Sequence, residues 1–254
     1  MQLIVLGAGS SAGTPVIGCR CETCISTDKR NKRTRCSAAI VLSTGETILI
    51  DTGPDLRHQA LREGLSRVDA VLYTHTHADH LHGIDDLRSF CQLQRQQIPL
   101  YGNQATLQHI ADKFSYVLRE PSDFWDLPVL AARRLAAPMK LFGVSVTPIP
   151  VKHGNSDILG YRIGNIGYIT DVSAIPESSL ALLEGLEVLM LDCLRFKSHP
   201  THINLEQSLE IAGRIKAGQT YLIHMTHEIE FTAVSQRLPP DVRLAYDGLR
   251  IDTR

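Results

Sequence analysis

Four potential metal ligands fall within six residues of this chain, in His75-Thr76-His77-Ala78-Asp79-His80. Imidazole nitrogens combined with a carboxylate suit zinc, iron or manganese. His75 and His77, two apart on an extended segment, project to one side. Asp79 and His80 then turn toward a second position as the chain enters a helix. Four ligands so placed can serve two adjacent ions if distant residues complete the coordination. A polar surface loop is the plain alternative, but an apolar strand at 68–74 runs straight into the cluster. Completing ligands stand where other strands end: His153, Asp171 and His224. Each alone would pass for a structural or surface group. Their recurrence at strand ends makes the joint case.

A second cluster, Cys19-Arg20-Cys21-Glu22-Thr23-Cys24, brings three thiols within six residues. Spacing this short strains any disulfide among them and favours metal ligation. Three thiolates are one short of a closed tetrahedral zinc site. Cys36, His227 or another histidine could supply the fourth ligand. Reduced surface thiols or a redox site are the competing readings. Cys36, Cys91 and Cys193 are scattered and read as buried, reduced thiols.

The elements that must position these groups follow from apolar periodicity. Strands are expected at 2–7, 37–42, 47–51, 68–74, 98–101, 140–148, 159–163, 167–170, 187–192 and 220–224, with a final strand pair flanking Asp247-Gly248. Helices are expected at 55–65, 84–92, 104–118, 176–186 and 204–217. The last has an Asn204 cap, Gln207 three residues on, and Gly218 just past its end. Residues 119–138 carry Pro121, Pro128 and Pro138 and read as irregular. Two groups of strands, each with helices, predict an α/β sandwich rather than one doubly wound sheet.

The chain has 254 residues, 43% of them hydrophobic and 21% charged, which is ordinary globular composition. No apolar run is long enough for a transmembrane helix, and the N-terminus lacks the marks of a signal peptide. A cytoplasmic protein is expected. The net charge of −1 argues for a small substrate over RNA. The oligomeric state stays open, a homodimer included.

The set His75-x-His77-x-Asp79-His80, then His153, Asp171 and His224, resembles the metallo-β-lactamase superfamily over nearly the whole chain. Asp51, in Ile50-Asp51-Thr52-Gly53, matches the family's upstream structural aspartate. The resemblance implies an αββα sandwich of two mixed β-sheets with outer helices, the metals lying at one edge between the sheets. It implies that His75, His77 and His153 hold one ion and that Asp79, His80 and His224 hold the other. Asp171 bridges them, where true β-lactamases usually differ. The implied chemistry is hydrolysis by a hydroxide between two divalent ions (manganese, zinc or iron), with Asp79 orienting the nucleophile.

Gly13-Thr14-Pro15-Val16-Ile17-Gly18-Cys19, with Cys21 and Cys24, resembles a narrower branch. That branch is the phosphodiesterase that opens phosphoribosyl cyclic phosphate in phosphonate breakdown. Its structural zinc is completed by a histidine three residues after the last catalytic ligand, and His224-Met225-Thr226-His227 repeats that spacing. The resemblance thus implies one structural zinc on Cys19, Cys21, Cys24 and His227, in a cysteine loop at 13–36 of a single domain spanning 1–254. It also implies His202, ahead of nearby His199, as the general acid that protonates the leaving oxygen. The expected function is a dinuclear-metal phosphodiesterase acting on a small cyclic or diester phosphate. The alternatives are an RNA-processing endonuclease of the same superfamily, a thioesterase or lactonase, and a non-hydrolytic carrier of cofactor biosynthesis.

Three further features draw a bland reading beside a functional one. Gly7-Ala8-Gly9-Ser10-Ser11-Ala12-Gly13 looks like a dinucleotide loop but lacks the helix that should follow at once. Lys29, Arg30, Lys32, Arg33 and Arg35 read as a solvated basic face, with anionic-substrate or nucleic-acid contact as the alternative. His82, Asp85 and Asp86 could support the metal ligands, while His58 and His109 read as surface residues on helices.

Overall fold

Along the first strand Leu3 and Val5 join one core and Ile4 and Leu6 another, so both faces are buried. The alternation recurs at Ile48, Leu49 and Ile50 and at Val71 and Leu72. Strands with two apolar faces must be covered on both sides. In the computed structural model, which describes residues 1–118 and 130–253, they are.

One sheet contains β1 (Gln2–Gly7), β2 (Ser37–Val41), β3 (Thr47–Ile50), β4 (Ala70–Leu72), β5 (Ile98–Gly102) and β6 (Leu130–Arg134). The other contains β7 (Met139–Leu141), β8 (Val144–His153), β9 (Ser156–Ile163), β10 (Ile166–Ile169), β11 (Val188–Asp192), β12 (Gln219–Ile223) and β13 (Val242–Leu244). The final strand, β14 (Arg250–Asp252), returns to the first sheet beside β1. Each sheet has seven strands, ordered β14-β1-β2-β3-β4-β5-β6 and β13-β12-β11-β10-β9-β8-β7. Both are mixed. β1 to β3 pair antiparallel and β3 to β6 parallel; β7 to β10 pair antiparallel and β10 to β13 parallel.

The inner faces share one core, with Val5, Ile40, Ile50 and Leu72 from the first sheet and Val146, Tyr161, Tyr168 and Leu191 from the second. Helices Leu56–Glu63, Leu87–Gln94 and Gln104–Lys113 cover the outer face of the first sheet through Leu56, Ala60, Phe90 and Ile110. Helix Leu205–Ile215 packs on the second, adding Ala212 and Ile215. This is the αββα sandwich of mixed sheets that the resemblance implies. No helix of the described residues is long and apolar enough to cross a membrane.

Several elements differ from expectation. Residues 140–148 are two strands, turned by Phe142 and Gly143, both at positive φ (50° and 86°). A two-residue hairpin needs that backbone, and Phe in place of Asn or Asp hid it. Residues 119–129 lie outside the described residues, but 130–134 form β6 at the sheet edge rather than irregular chain. β13 and β14 flank Asp247-Gly248 as expected, yet they belong to different sheets and do not pair. The helix expected over 104–118 ends at Lys113, and that over 176–186 is only Glu177–Ala181. The short helix Phe231–Ser235 was not expected. The Asn204 cap is present as a reciprocal capping box with Gln207, but Lys216, not Gly218, takes the left-handed turn.

Candidate dinuclear metal centre

The histidine cluster is held by backbone before it is held by side chains. Asp51 follows β3 at φ 61°, and its carboxylate accepts from Thr74 N (2.8 Å), Thr74 Oγ1 (2.7 Å) and His80 Nδ1 (2.7 Å). The turn carrying Asp79 and His80 docks on the neighbouring 51–53 segment through Thr52 N to His80 O (2.7 Å) and Gly83 N to Thr52 O (2.8 Å). Glycine is required there, because a Cβ on Gly53 would lie 2.1 Å from Asp79 O and one on Gly83 2.1 Å from Gly53 O. Asp171 and His224 also leave their strands at positive φ, 54° and 58°. Non-glycine residues in that region gather at functional sites.

These constraints bring every expected ligand together. His75, His77, His153 and Asp171 form one set, and Asp79, His80, Asp171 and His224 another, with donor atoms in each within 4.8 Å of one another. Asp171 belongs to both. Its Oδ1 lies 3.1 Å from His80 Nε2 and 3.3 Å from His224 Nε2, and its Oδ2 lies 3.7 Å from His75 Nε2. Asp79 Oδ2 is 3.3 Å from His80 Nε2 and 3.4 Å from His224 Nε2.

The donor chemistry fits divalent cations. His75 Nε2 and His80 Nε2 are buried without a hydrogen-bond partner, which is costly unless something else satisfies them. Their other nitrogens are engaged: His75 Nδ1 by Thr74 Oγ1 (2.9 Å), His80 Nδ1 by Asp51, and His153 Nδ1 by Thr201 O (2.8 Å). Such outer bonds fix a ligating imidazole's tautomer and direction. Without ions, burial disfavours a charged His80, but Asp171 and Asp51 outweigh it and raise its pKa well above the usual range. Burial lowers His75 and His153. Asp171 is buried too, yet His224 and His80 hold its carboxyl well below the ordinary value.

His202 stands beside Asp171, with Nε2 3.9 Å from Asp171 Oδ2 and Nδ1 3.2 Å from Asp192 Oδ2. His199 is farther out, its Nδ1 taken by Thr201 Oγ1 (3.1 Å). Sequence reasoning missed Asp192. It is fully buried at the end of β11, accepts from Val172 N (3.0 Å), and lies 3.7 Å from His224 Nδ1. The available signal was its position, an aspartate at a strand end like Asp51 and Asp171. His82 packs edge-on against Phe114 and Asp85 accepts from Arg88, so the supporting role expected of them is not seen among the described residues.

The cysteine cluster also closes. His227 Nδ1 lies 3.3 Å from Cys19 Sγ, 3.3 Å from Cys21 Sγ and 3.4 Å from Cys24 Sγ. One imidazole N–H cannot serve three sulfurs equally. Zinc–sulfur bonds of about 2.3 Å and a zinc–nitrogen bond of about 2.0 Å put tetrahedral ligands about 3.5 Å apart, which matches. The backbone N–H of Cys24 lowers the Cys21 thiol to about 6, aided by bonds from Cys19, Cys24 and His227. Cys36, Cys91 and Cys193 are buried and unpaired as disulfides, as expected.

Four of the five residues of the basic run are engaged within the chain or buried. Arg30 pairs with Asp28, Lys32 Nζ donates to Cys24 O (2.9 Å), Arg35 pairs with Asp55, and Arg33 is buried. The Gly7–Gly13 segment leads into no helix of more than one turn, and a Cβ on Gly7 or Gly9 would strike the carbonyls of Arg35 or Arg33.

Residues 46–225 match the β-lactamase superfamily domain. The chain belongs to the β-lactamase superfamily. This superfamily member is similar to a solved diphosphatase of the PhnP family, with 40% identity and a TM-score of 0.93 over 100% of this chain and 98% of that one. It is 38% identical over 252 residues to an octanoyltransferase of Porphyromonas gingivalis, covering 98% of this chain but 51% of that protein. The chain thus spans about half the length of that relative. Zinc-bound PqqB from Methylobacterium extorquens shares the fold at a TM-score of 0.81 and 22% identity, over 100% of both chains. Superfamily membership and the diphosphatase likeness support a metal-dependent hydrolase.

Proposed function

We propose that this protein hydrolyses a phosphodiester or diphosphate linkage in a small molecule, using two divalent ions. The observation that carries the proposal is Asp171, whose two oxygens face two separate ligand sets. His75, His77 and His153 would hold one ion, Asp79, His80 and His224 the other, and Asp171 both. Such a pair supplies activation of water and stabilisation of charge on phosphoryl oxygens. Asp79, beside both His80 and His224, orients the attacking water. Asp192 accepts from His202 Nδ1, leaving Nε2 to face the centre and deliver a proton to the leaving oxygen. Cys19, Cys21, Cys24 and His227 would hold a zinc that ties the N-terminal loop to the segment following His224, a scaffold role. The similarity to a PhnP-family diphosphatase supports the phosphoryl class.

The relative named octanoyltransferase favours a second reading, hydrolysis of an acyl ester or thioester, since the same centre can polarise a carbonyl. One panel separates the readings: metal-reconstituted protein is offered activated phosphodiesters, cyclic phosphates, diphosphate esters, an octanoyl thioester and precursor tRNA. Turnover of the small phosphates is expected. Turnover confined to the thioester would replace the phosphoryl reading, and cleavage confined to tRNA would make the protein a nuclease.

A further inference from the structure

Among the described residues, Arg33 heads the fully buried side chains by size, at 1% exposure. It makes no ion pair with a carboxylate among the described residues, and its Nε and Nη1 have no hydrogen-bond partner. A guanidinium withdrawn from water is costly unless negative charge lies near it. Asp247 and Glu230 act on it only at longer range, and each is engaged elsewhere: Asp247 by Arg62 and Thr34, Glu230 by Asn31 and Ala233 N.

The bonds Arg33 does make lie on both sides of the thiolate cluster. Its Nη2 donates to Thr226 O (3.1 Å) and Ile229 O (2.8 Å), one residue before His227 and two after it. Its backbone exchanges two hydrogen bonds of 2.8 Å with Thr14, where the cysteine loop begins. Three thiolates around one dication leave a net negative charge. Resting on the zinc reading above, we propose that Arg33 is the counter-cation and positioning residue of the thiolate zinc site. It offsets the residual charge and clamps the turn that presents His227. Burial draws the Arg33 guanidinium down to about 10, and Asp247, Glu230, Cys193 and Cys24 oppose that fall. The same clamp reaches the catalytic side, because Met225, between His224 and Thr226, bonds Ala8 and Ser10 at the loop's root.

The test uses the full chain with cobalt at the thiolates, where a sulfur-to-cobalt charge-transfer band reports that site alone. Loss of the band on adding a chelator is timed for wild type, Arg33→Lys and Arg33→Met. Removing partners of metal ligands weakens binding about 10–100-fold. Release about 10–100-fold faster is therefore expected in Arg33→Met, with Arg33→Lys between it and wild type, since Lys keeps the charge but loses the planar fork. Wild-type release in both variants overturns the proposal. If Arg33→Met does not fold, a wild-type rate in Arg33→Lys alone overturns it. A Cys19→Ser protein that still shows the full band would instead refute the thiolate site itself, a separate failure.

Discussion

At the residue scale the centre depends on which atoms are free to take a cation. Asp171 belongs to both ligand sets, so in the proposed centre it is the residue that would bridge the two ions. Asp171→Ala is expected to abolish hydrolysis of an activated phosphodiester while the thiolate-bound zinc remains; retained turnover would remove Asp171 from the mechanism. The raised pKa of His80 sets a pH dependence. In the ion-free chain His80 holds its proton, which a cation must displace, so affinity falls as pH falls. Metal content after dialysis should decline steadily from about pH 8 to about pH 5, and a flat profile would contradict the ligand assignment. Cys21 gives the opposite case. Its folded value of about 6 lies below the ordinary 9.0, so in the zinc-free chain its thiolate contributes stability above 9.0 that is lost as pH falls through about 6. Cys21 should therefore be the first thiol alkylated in that protein, with its rate rising through about pH 6.

At the element scale, strands deliver the ligands and tight turns aim them. β4 ends just ahead of His75, β8 ends at His153, and Asp171 and His224 follow β10 and β12. The 51–53 and 79–83 segments touch through glycines with no space for a methyl group. Gly83→Ala must push those segments apart, and overpacking of this kind costs about 1–3 kcal/mol. Denaturant unfolding should show that loss, together with reduced metal content, because Asp79 and His80 ride on the displaced turn. Asn204→Ala, which removes a side chain that caps Gln207 N, should cost about 1 kcal/mol and leave metal content unchanged.

At the scale of the whole molecule the two sheets meet at the metal centre. The first sheet supplies His75, His77, Asp79 and His80; the second supplies His153, Asp171 and His224. Ions held between them should stabilise the sandwich by mass action, ~2.7 kcal/mol for a ligand at a hundred times its Kd. Chelation should lower Tm accordingly, and elemental analysis should find about three ions per chain; a single ion would defeat the combined model. The sequence by itself determined the candidate ligand set. Imidazole, carboxylate and thiol are chemically specific, their short spacings are local, and apolar periodicity marks the strand ends where the distant ligands sit. It also carried the sandwich class, through two groups of strands, each with its own helices. Only the tertiary structure decided the partners of Asp192 and Arg33, the edge strand β6, and the separation of β13 from β14 into different sheets. An aspartate ending a strand and an arginine in a basic run look ordinary until packing fixes their partners. For Arg33 those partners lie 193 and 196 residues away, beyond what any local pattern encodes.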